Sequence, residues 1–232
     1  HSKKTGGYFY PYGLYLYYCY NTEARKNDIQ LVSNSMTYGY GMYIRNCYAT
    51  SSSRKYFANN MVYSRASYYA VYYYLNNYTD FVHNTIKSGS GYNSVYTCYY
   101  YGGTASYFRN NICYNSTGGY AMYQIGSSSL RTHNNYYSTG TQTNFTRVAS
   151  EKTVDPIFNS ISDLHINSIT LDGAGVNISG ISSDIDGDTR TSTRDIGADE
   201  YTAANNDLMP VKLVLPTVGG CGKDSTKVSI QV

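Results

Sequence analysis

His83, Arg109 and His133 are the residues whose types and placement suggest chemistry first. Each stands immediately before an Asn in a recurring context: "VHNTI", "FRNNI" and "THNNY". Arranged as one outward column, an Arg between two His could neutralise a uronate carboxylate and move a proton, as in a polysaccharide lyase. The surroundings argue against catalysis. Asp80 is the main carboxylate nearby, and Lys87 lies outside the column. The preceding members, Ser33 and Ala58, show the position drifting through unrelated types. A paired-carboxylate glycosidase finds almost no acids to pair in this region. The second candidate is "DIDGD", where Asp184, Asp186 and Asp188 supply oxygens of the kind calcium prefers. The remaining ligands of a helix-loop-helix calcium site are missing, including a Glu at its twelfth position. A clasp of Arg190 and Arg194 among Asp184, Asp186, Asp188, Asp195, Asp199 and Glu200 is the competing reading. The expectation is therefore no enzyme and no cofactor, with calcium the one candidate ion.

These residues belong to a repeat. Asn34, Asn59, Asn84, Asn110 and Asn134 recur at spacings of 25, 25, 26 and 24. Between them, "GLYLY", "GMYIR", "AVYYY", "SVYTC" and "AMYQI" repeat a small residue, an aliphatic residue and a Tyr. Several short strands per 25 residues or so define a parallel β-helix of five to six coils from Gly7 to about Ser150. A leucine-rich framework is absent, and the β-branched, aromatic and Gly-rich texture excludes helical repeats. The Asn column reads as a structural ladder, since buried Asn tolerates left-handed geometry and bonds its neighbours up the stack.

Strand alternation places Leu14, Met42, Val71, Val95 and Met122 inside. It places Tyr15, Tyr43, Tyr72, Tyr96 and Tyr123 outside. Stacked Tyr rings could simply cover the sheet. An exposed aromatic face also suits sugar rings or another protein chain. Of 232 residues 31 are Tyr, only 14% are charged and the net charge is +3. That balance gives no nucleic-acid footprint, and no stretch is apolar enough to span a membrane as a helix. Five Cys without a CxxC spacing make a zinc or redox motif a weak reading. The opening "HSKKTGG" carries no hydrophobic signal segment, as expected of a piece cut from a longer or matured chain.

After Ser150 the text changes to "VDPIFNSISDLHINSITLDGAGVNI" and "SSDIDGDTRTSTRDIGADEY". These runs resemble the closing segment of right-handed parallel β-helix domains in large secreted surface proteins of Bacteroidetes-type bacteria. The resemblance spans residues 27 to 201. It is strongest over Asp155–Phe158, Asp163–His165, Asp184–Arg190 and Asp195–Tyr201, and looser in the Tyr-rich coils. It implies an all-β chain: right-handed parallel β-helix coils over 1–150 and a C-terminal cap over 151–204. Over 205–232 it implies a linker and the first strands of an immunoglobulin-like β-sandwich. "VKLVLP" and "TKVSIQV" would be those strands, and Cys221 would expect a partner further along. It also implies an adhesive or structural role on the bacterial cell surface, reached by type IX secretion, in attachment, gliding or prey capture. Cell-surface glycans or other protein chains would be the partners, with assembly into a larger filament or surface complex. A carbohydrate-binding module is the first alternative and a lyase-like enzyme the second.

Overall fold

The computed structural model describes residues 10–32, 38–65, 69–89, 96–126 and 130–201, and the backbone of two short strands, Lys212–Val214 and Ser229–Gln231. Among the described residues every regular element is a β-strand. The contacts divide the chain into residues 1–201 and 202–232.

The first unit is a parallel β-solenoid. Each rung contributes three strands. They are β1 (Tyr12–Tyr17), β2 (Ala24–Arg25) and β3 (Asp28–Leu31), then β4 (Tyr40–Arg45), β5 (Lys55–Ala58) and β6 (Met61–Ser64). The third rung has β7 (Tyr69–Tyr74), β8 (Thr79–Val82) and β9 (Thr85–Ser88), and the fourth β10 (Tyr96–Tyr101), β11 (Phe108–Arg109) and β12 (Ile112–Asn115). The fifth has β13 (Tyr120–Ile125), β14 (Arg131–Thr132) and β15 (Asn135–Ser138). Stacking yields three five-stranded sheets, β1-β4-β7-β10-β13, β2-β5-β8-β11-β14 and β3-β6-β9-β12-β15. Every pairing between successive rungs is parallel.

The core is built of columns, because parallel in-register pairing sets like positions one strand spacing apart. Leu14, Met42, Val71, Cys98 and Met122 form one. Phe57, Phe81 and Phe108 form another, with Phe81 and Phe108 stacked at 5.2 Å. Ile29, Val62, Ile86, Cys113 and Tyr136 face them from the third sheet. Two further core tyrosines, Tyr73 and Tyr100, are 1% exposed and stack at 5.4 Å. Their hydroxyls donate to the carbonyls of Thr79 and Ser106, which makes the burial of a phenol affordable.

The first sheet bends after its first Tyr. In β4 the exposure runs half-buried, buried, buried, half-buried, so two successive residues, Gly41 and Met42, turn inward. The first must be small. A Cβ on Gly41 would sit 2.4 Å from Val62 Cγ1 and 2.7 Å from the Ala70 carbonyl oxygen. This is why the repeat begins with a small residue, and why tyrosines three apart emerge on one face.

Residues 142–154 close the fifth rung. Gln142 and Lys152 accept from the Met122 and Tyr136 amides, and Phe145 packs edge-on against Tyr136. The expected C-terminal cap does more than cover this end. Its greater part runs along the flank, over the outward faces of the second and third sheets. Ile178 and Ile181 cover Ala58 and Val82, Leu164 and Ala198 cover Met61 and Tyr63, and Ile166, Leu171 and Ile196 cover Ile112. Hydrogen bonds follow the same path: Arg25 donates to Gly180 O, Asn59 to Ser183 O and Asn110 to Val176 O.

In the second unit, β16 (Lys212–Val214) and β17 (Ser229–Gln231) pair antiparallel. The rest of the expected immunoglobulin-like segment, including Cys221, lies outside the described residues.

Candidate functional site: a stacked tyrosine face

The outward face of β1-β4-β7-β10-β13 carries two complete tyrosine columns. Tyr15, Tyr43, Tyr72, Tyr99 and Tyr123 pair in register, and so do Tyr12, Tyr40, Tyr69, Tyr96 and Tyr120. Tyr96, expected in the first column, belongs to the second, and Tyr99 takes its place. Each strand presents Tyr-x-x-Tyr across the inward bend, so a slip of three residues replaces one Tyr by another. The signal that separates them is Cys98, which belongs with Met42, Val71 and Met122 inside. Val95, expected there, lies outside the described residues.

Ring spacing along the Tyr15 column is 5.0, 5.0, 5.2 and 6.0 Å, with planes within 17° of parallel. Along the Tyr12 column it is 5.2, 5.8, 5.6 and 5.6 Å. Between columns the rings meet edge-on, as in Tyr12–Tyr15 at 78° and Tyr40–Tyr43 at 82°. Both arrangements suit the ring quadrupole. A third, partial column adds Tyr17, Arg45, Tyr74 and Tyr101, where the Arg45 guanidinium lies 5.7 and 5.1 Å from the Tyr17 and Tyr74 ring centres. The ring faces are therefore occupied by one another. The edges are left, and the Tyr43 hydroxyl accepts from Arg45 Nη1 at 3.3 Å. Burial, then repulsion from neighbouring phenols, raises the pKa of Tyr12, Tyr96 and Tyr99, so their hydroxyls stay protonated at neutral pH. An open depression of about 540 Å³ sits on this face, lined by Tyr10, Tyr38, Tyr40, Tyr43, Arg45, Tyr69 and Tyr72.

The asparagine ladder exists, shifted by one residue from the expected Asn59 and Asn110. Its members are Asn27, Asn60, Asn84, Asn111 and Asn134. The amide nitrogen and Nδ2 of each of the first four donate to Oδ1 of the next, at 2.7–3.1 Å. Glu151 ends the ladder by accepting from Asn134 and from the Tyr136 hydroxyl. Asn59 and Asn110 occupy the preceding column with Lys26, His83 and His133, all at φ between 52° and 57°. Asn84 and Asn134 are ladder members as expected, and Asn34 lies outside the described residues.

His83 and Arg109 consequently differ in column. Arg109 pairs with Val82 and Thr132, so His83 aligns with Asn110 and His133. His83 is fully buried beneath the flank segment. Its Nε2 is 2.8 Å from Asn110 Nδ2 and its Nδ1 3.3 Å from Gly197 O. Burial, then Arg190, lowers its pKa well below the usual value, leaving a neutral ring that accepts from Asn110 and donates to Gly197. The Arg109 guanidinium rests 4.3 Å from the Tyr107 ring centre. Burial and then Arg109 lower His133.

The three acids of "DIDGD" do not converge either. Asp184 Oδ1 accepts from the amides of Asp186, Gly187 and Asp188, and Oδ2 from Glu200. A carboxylate saturated by four backbone donors closes a loop. Asp186 instead meets His165 Nε2 at 2.8 Å, while Nδ1 meets Asp163. Asp199 approaches the same place, so His165, Asp186 and Asp199 are the described side chains whose ligand atoms gather within 4.8 Å. Burial alone would lower the His165 pKa, but hydrogen bonds to Asp163 and Asp186 outweigh it and raise it to about 9. A histidinium thus bridges two carboxylates. Of the two arginines expected in a clasp, Arg190, buried, binds Glu200, Asn59 Oδ1 and Gly197 O, whereas Arg194 donates to the Ile181 carbonyl.

No helix among the described residues is long and apolar enough to cross a membrane. Comparison with protein-family models, with curated proteins and with solved structures found no match. Fold and surface define the class here: a parallel β-solenoid with a tyrosine-rich face.

Proposed function

We propose that the chain is a structural, adhesive module of a secreted bacterial surface protein, and that the tyrosine face makes its contacts. One observation carries this reading: ten tyrosines in two in-register columns lie on one sheet face. A solenoid can cover an outward face with its own chain, as the flank segment does for the other two sheets. Among the described residues no such segment lies over the aromatic one, which suits contact with a second surface. Tyr gives large contact area at low entropy cost, and each hydroxyl adds a hydrogen bond. The closing signature over 151–201 supports the cell-surface setting by resemblance.

Ring orientation favours another protein chain over a glycan. Sugars stack on open aromatic faces, and those are open chiefly at the first rung, Tyr12 with Tyr15, because residues 142–154 close the fifth. Ring edges and hydroxyls suit the mixed polar and apolar surface of a protein.

The test compares beads coated with the wild-type chain and with a variant carrying Ser at Tyr15, Tyr43, Tyr72, Tyr99 and Tyr123. Retention on protein-coated and polysaccharide-coated surfaces is measured under flow, with circular dichroism as the folding control. Retention on protein falls to the level of bare beads if the reading holds. Equal retention by both chains refutes it. Retention on polysaccharide alone, with glycan-array binding lost in Tyr72→Ala, favours the carbohydrate-binding module.

A further inference from the structure

Four of the five cysteines are described, and two of them meet across the core. Cys98 projects inward from β10 and Cys113 from β12, in the same rung. Their sulfurs lie 2.8 Å apart. That is inside ordinary contact between two sulfur atoms and short of the ~2.0 Å bond. The two columns face each other throughout the solenoid, and in the other rungs the positions hold Leu14 and Ile29, Met42 and Val62, Val71 and Ile86, and Met122 and Tyr136. Among these facing pairs the fourth rung alone places thiol against thiol, while Cys19 and Cys47 adjoin between successive rungs.

We infer that Cys98 and Cys113 are joined in the mature protein by a disulfide that ties the tyrosine sheet to the third sheet. Two thiols become one S–S bond with loss of two protons and two electrons. The electrons pass to an external disulfide, whether glutathione disulfide or a disulfide-exchange protein. A Cys98 or Cys113 thiolate attacks it and releases one thiol, and the second cysteine then displaces the other. The residues are 1% and 0% exposed, so exchange precedes closure of the coil. A separation of 15 residues makes the encounter easy in the unfolded chain. Once folded, burial and the neighbouring Cys98 hold the Cys113 thiol well above its usual pKa, so a pair left reduced would be inert. The bond removes unfolded-chain freedom and resists pulling the sheets apart, whatever the tyrosine face contacts.

The full chain is denatured and reduced, then refolded in glutathione buffer or in excess reductant. It is mapped by peptide mass spectrometry after denaturing alkylation. The expected result is a Cys98–Cys113 linked peptide lacking two hydrogens, with Cys19 and Cys47 alkylated. The oxidised form should melt on the order of 5–10 °C above the reduced one. In the Cys98→Val/Cys113→Val variant this redox dependence vanishes. Alkylation of both cysteines after oxidative refolding overturns the inference, and so does linkage chiefly to other cysteines. If the double variant fails to fold, the wild-type peptide map decides alone.

Discussion

The outer face of the tyrosine sheet and the outer faces of its two neighbours are built from the same rungs and end differently. On the second and third sheets, Ala58, Met61, Val82 and Ile112 point outward, yet all are 4% exposed or less because the flank segment lies over them. On the tyrosine sheet, Tyr12, Tyr15 and Tyr17 of the end strand are 42–51% exposed, and the column tyrosines of the later rungs are half-buried. The difference lies in what each face can tolerate. Aliphatic outward columns must be buried, and the cap buries them with apolar contacts and polar ties such as Arg190. Tyrosine columns satisfy one another by stacking, and a phenol tolerates contact with water as an aliphatic side chain does not. A surface that needs no lid is available for a partner.

The largest expected effect comes from detaching the lid. The Arg190 side chain is fully buried and holds Glu200, Asn59 and Gly197 O together. Arg190→Ala leaves the Glu200 carboxylate without its partner and should cost about 3–5 kcal/mol. Hydrogen exchange should rise over residues 173–200 and at His83, while β4, β7 and β10 keep their protection. Equal loss of protection everywhere would mean that covered and uncovered faces unfold as one unit, and would break the comparison.

How much of this was legible in sequence depended on whether one column could be told from the next. The solenoid, its strand content and the in/out sense of Leu14 and Tyr15 followed from period and alternation alone. Doublets defeated finer placement. "ANN" and "RNN" each offer two asparagines, and the choice between a left-handed corner and a buried ladder rests on which side chain reaches the next rung. Tyr-x-x-Tyr likewise hid the inward bend, since strict alternation cannot put residues three apart on one face. The path of the cap along the flank had no local signal. It is set by which outward columns are aliphatic, read jointly over distant rungs.

A second, smaller effect separates the regions by pH. His165 is held at about 9 against an ordinary 6.5, so its clasp stabilises fully below pH 6.5 and is lost as pH rises through 9. Burial raises Asp195 from 3.8 to about 7, in spite of amide donors from Gly173 and Tyr201. Its contribution has the same sign, full below pH 3.8 and lost as pH rises through 7. Both groups sit in the flank segment. Protection there should fall from pH 4 to 9, whereas the tyrosine sheet, where burial raises the phenols of Tyr12, Tyr96 and Tyr99, should hold steady. His165→Gln should remove the portion above pH 6.5 and leave the lower portion. A parallel loss in both regions would again contradict their independence.

The smallest stability effect is expected at the centre of the tyrosine face. Tyr72 stacks between Tyr43 at 5.0 Å and Tyr99 at 5.2 Å, with Tyr74 at 5.5 Å. Its ring edge is open, so Tyr72→Ala forfeits stacking but creates no sealed cavity, and about 1–2 kcal/mol is expected. Tyr73→Ala, one residue along and pointing inward, is the control: it removes a fully buried ring and its hydrogen bond to Thr79, and should cost several times more. Urea unfolding of the two variants measures the contrast directly. If Tyr72→Ala proves as damaging as Tyr73→Ala, the outer columns are a structural skin and their exposure says little about contact. If it is mild while surface retention drops sharply, the rings are kept for something outside the chain.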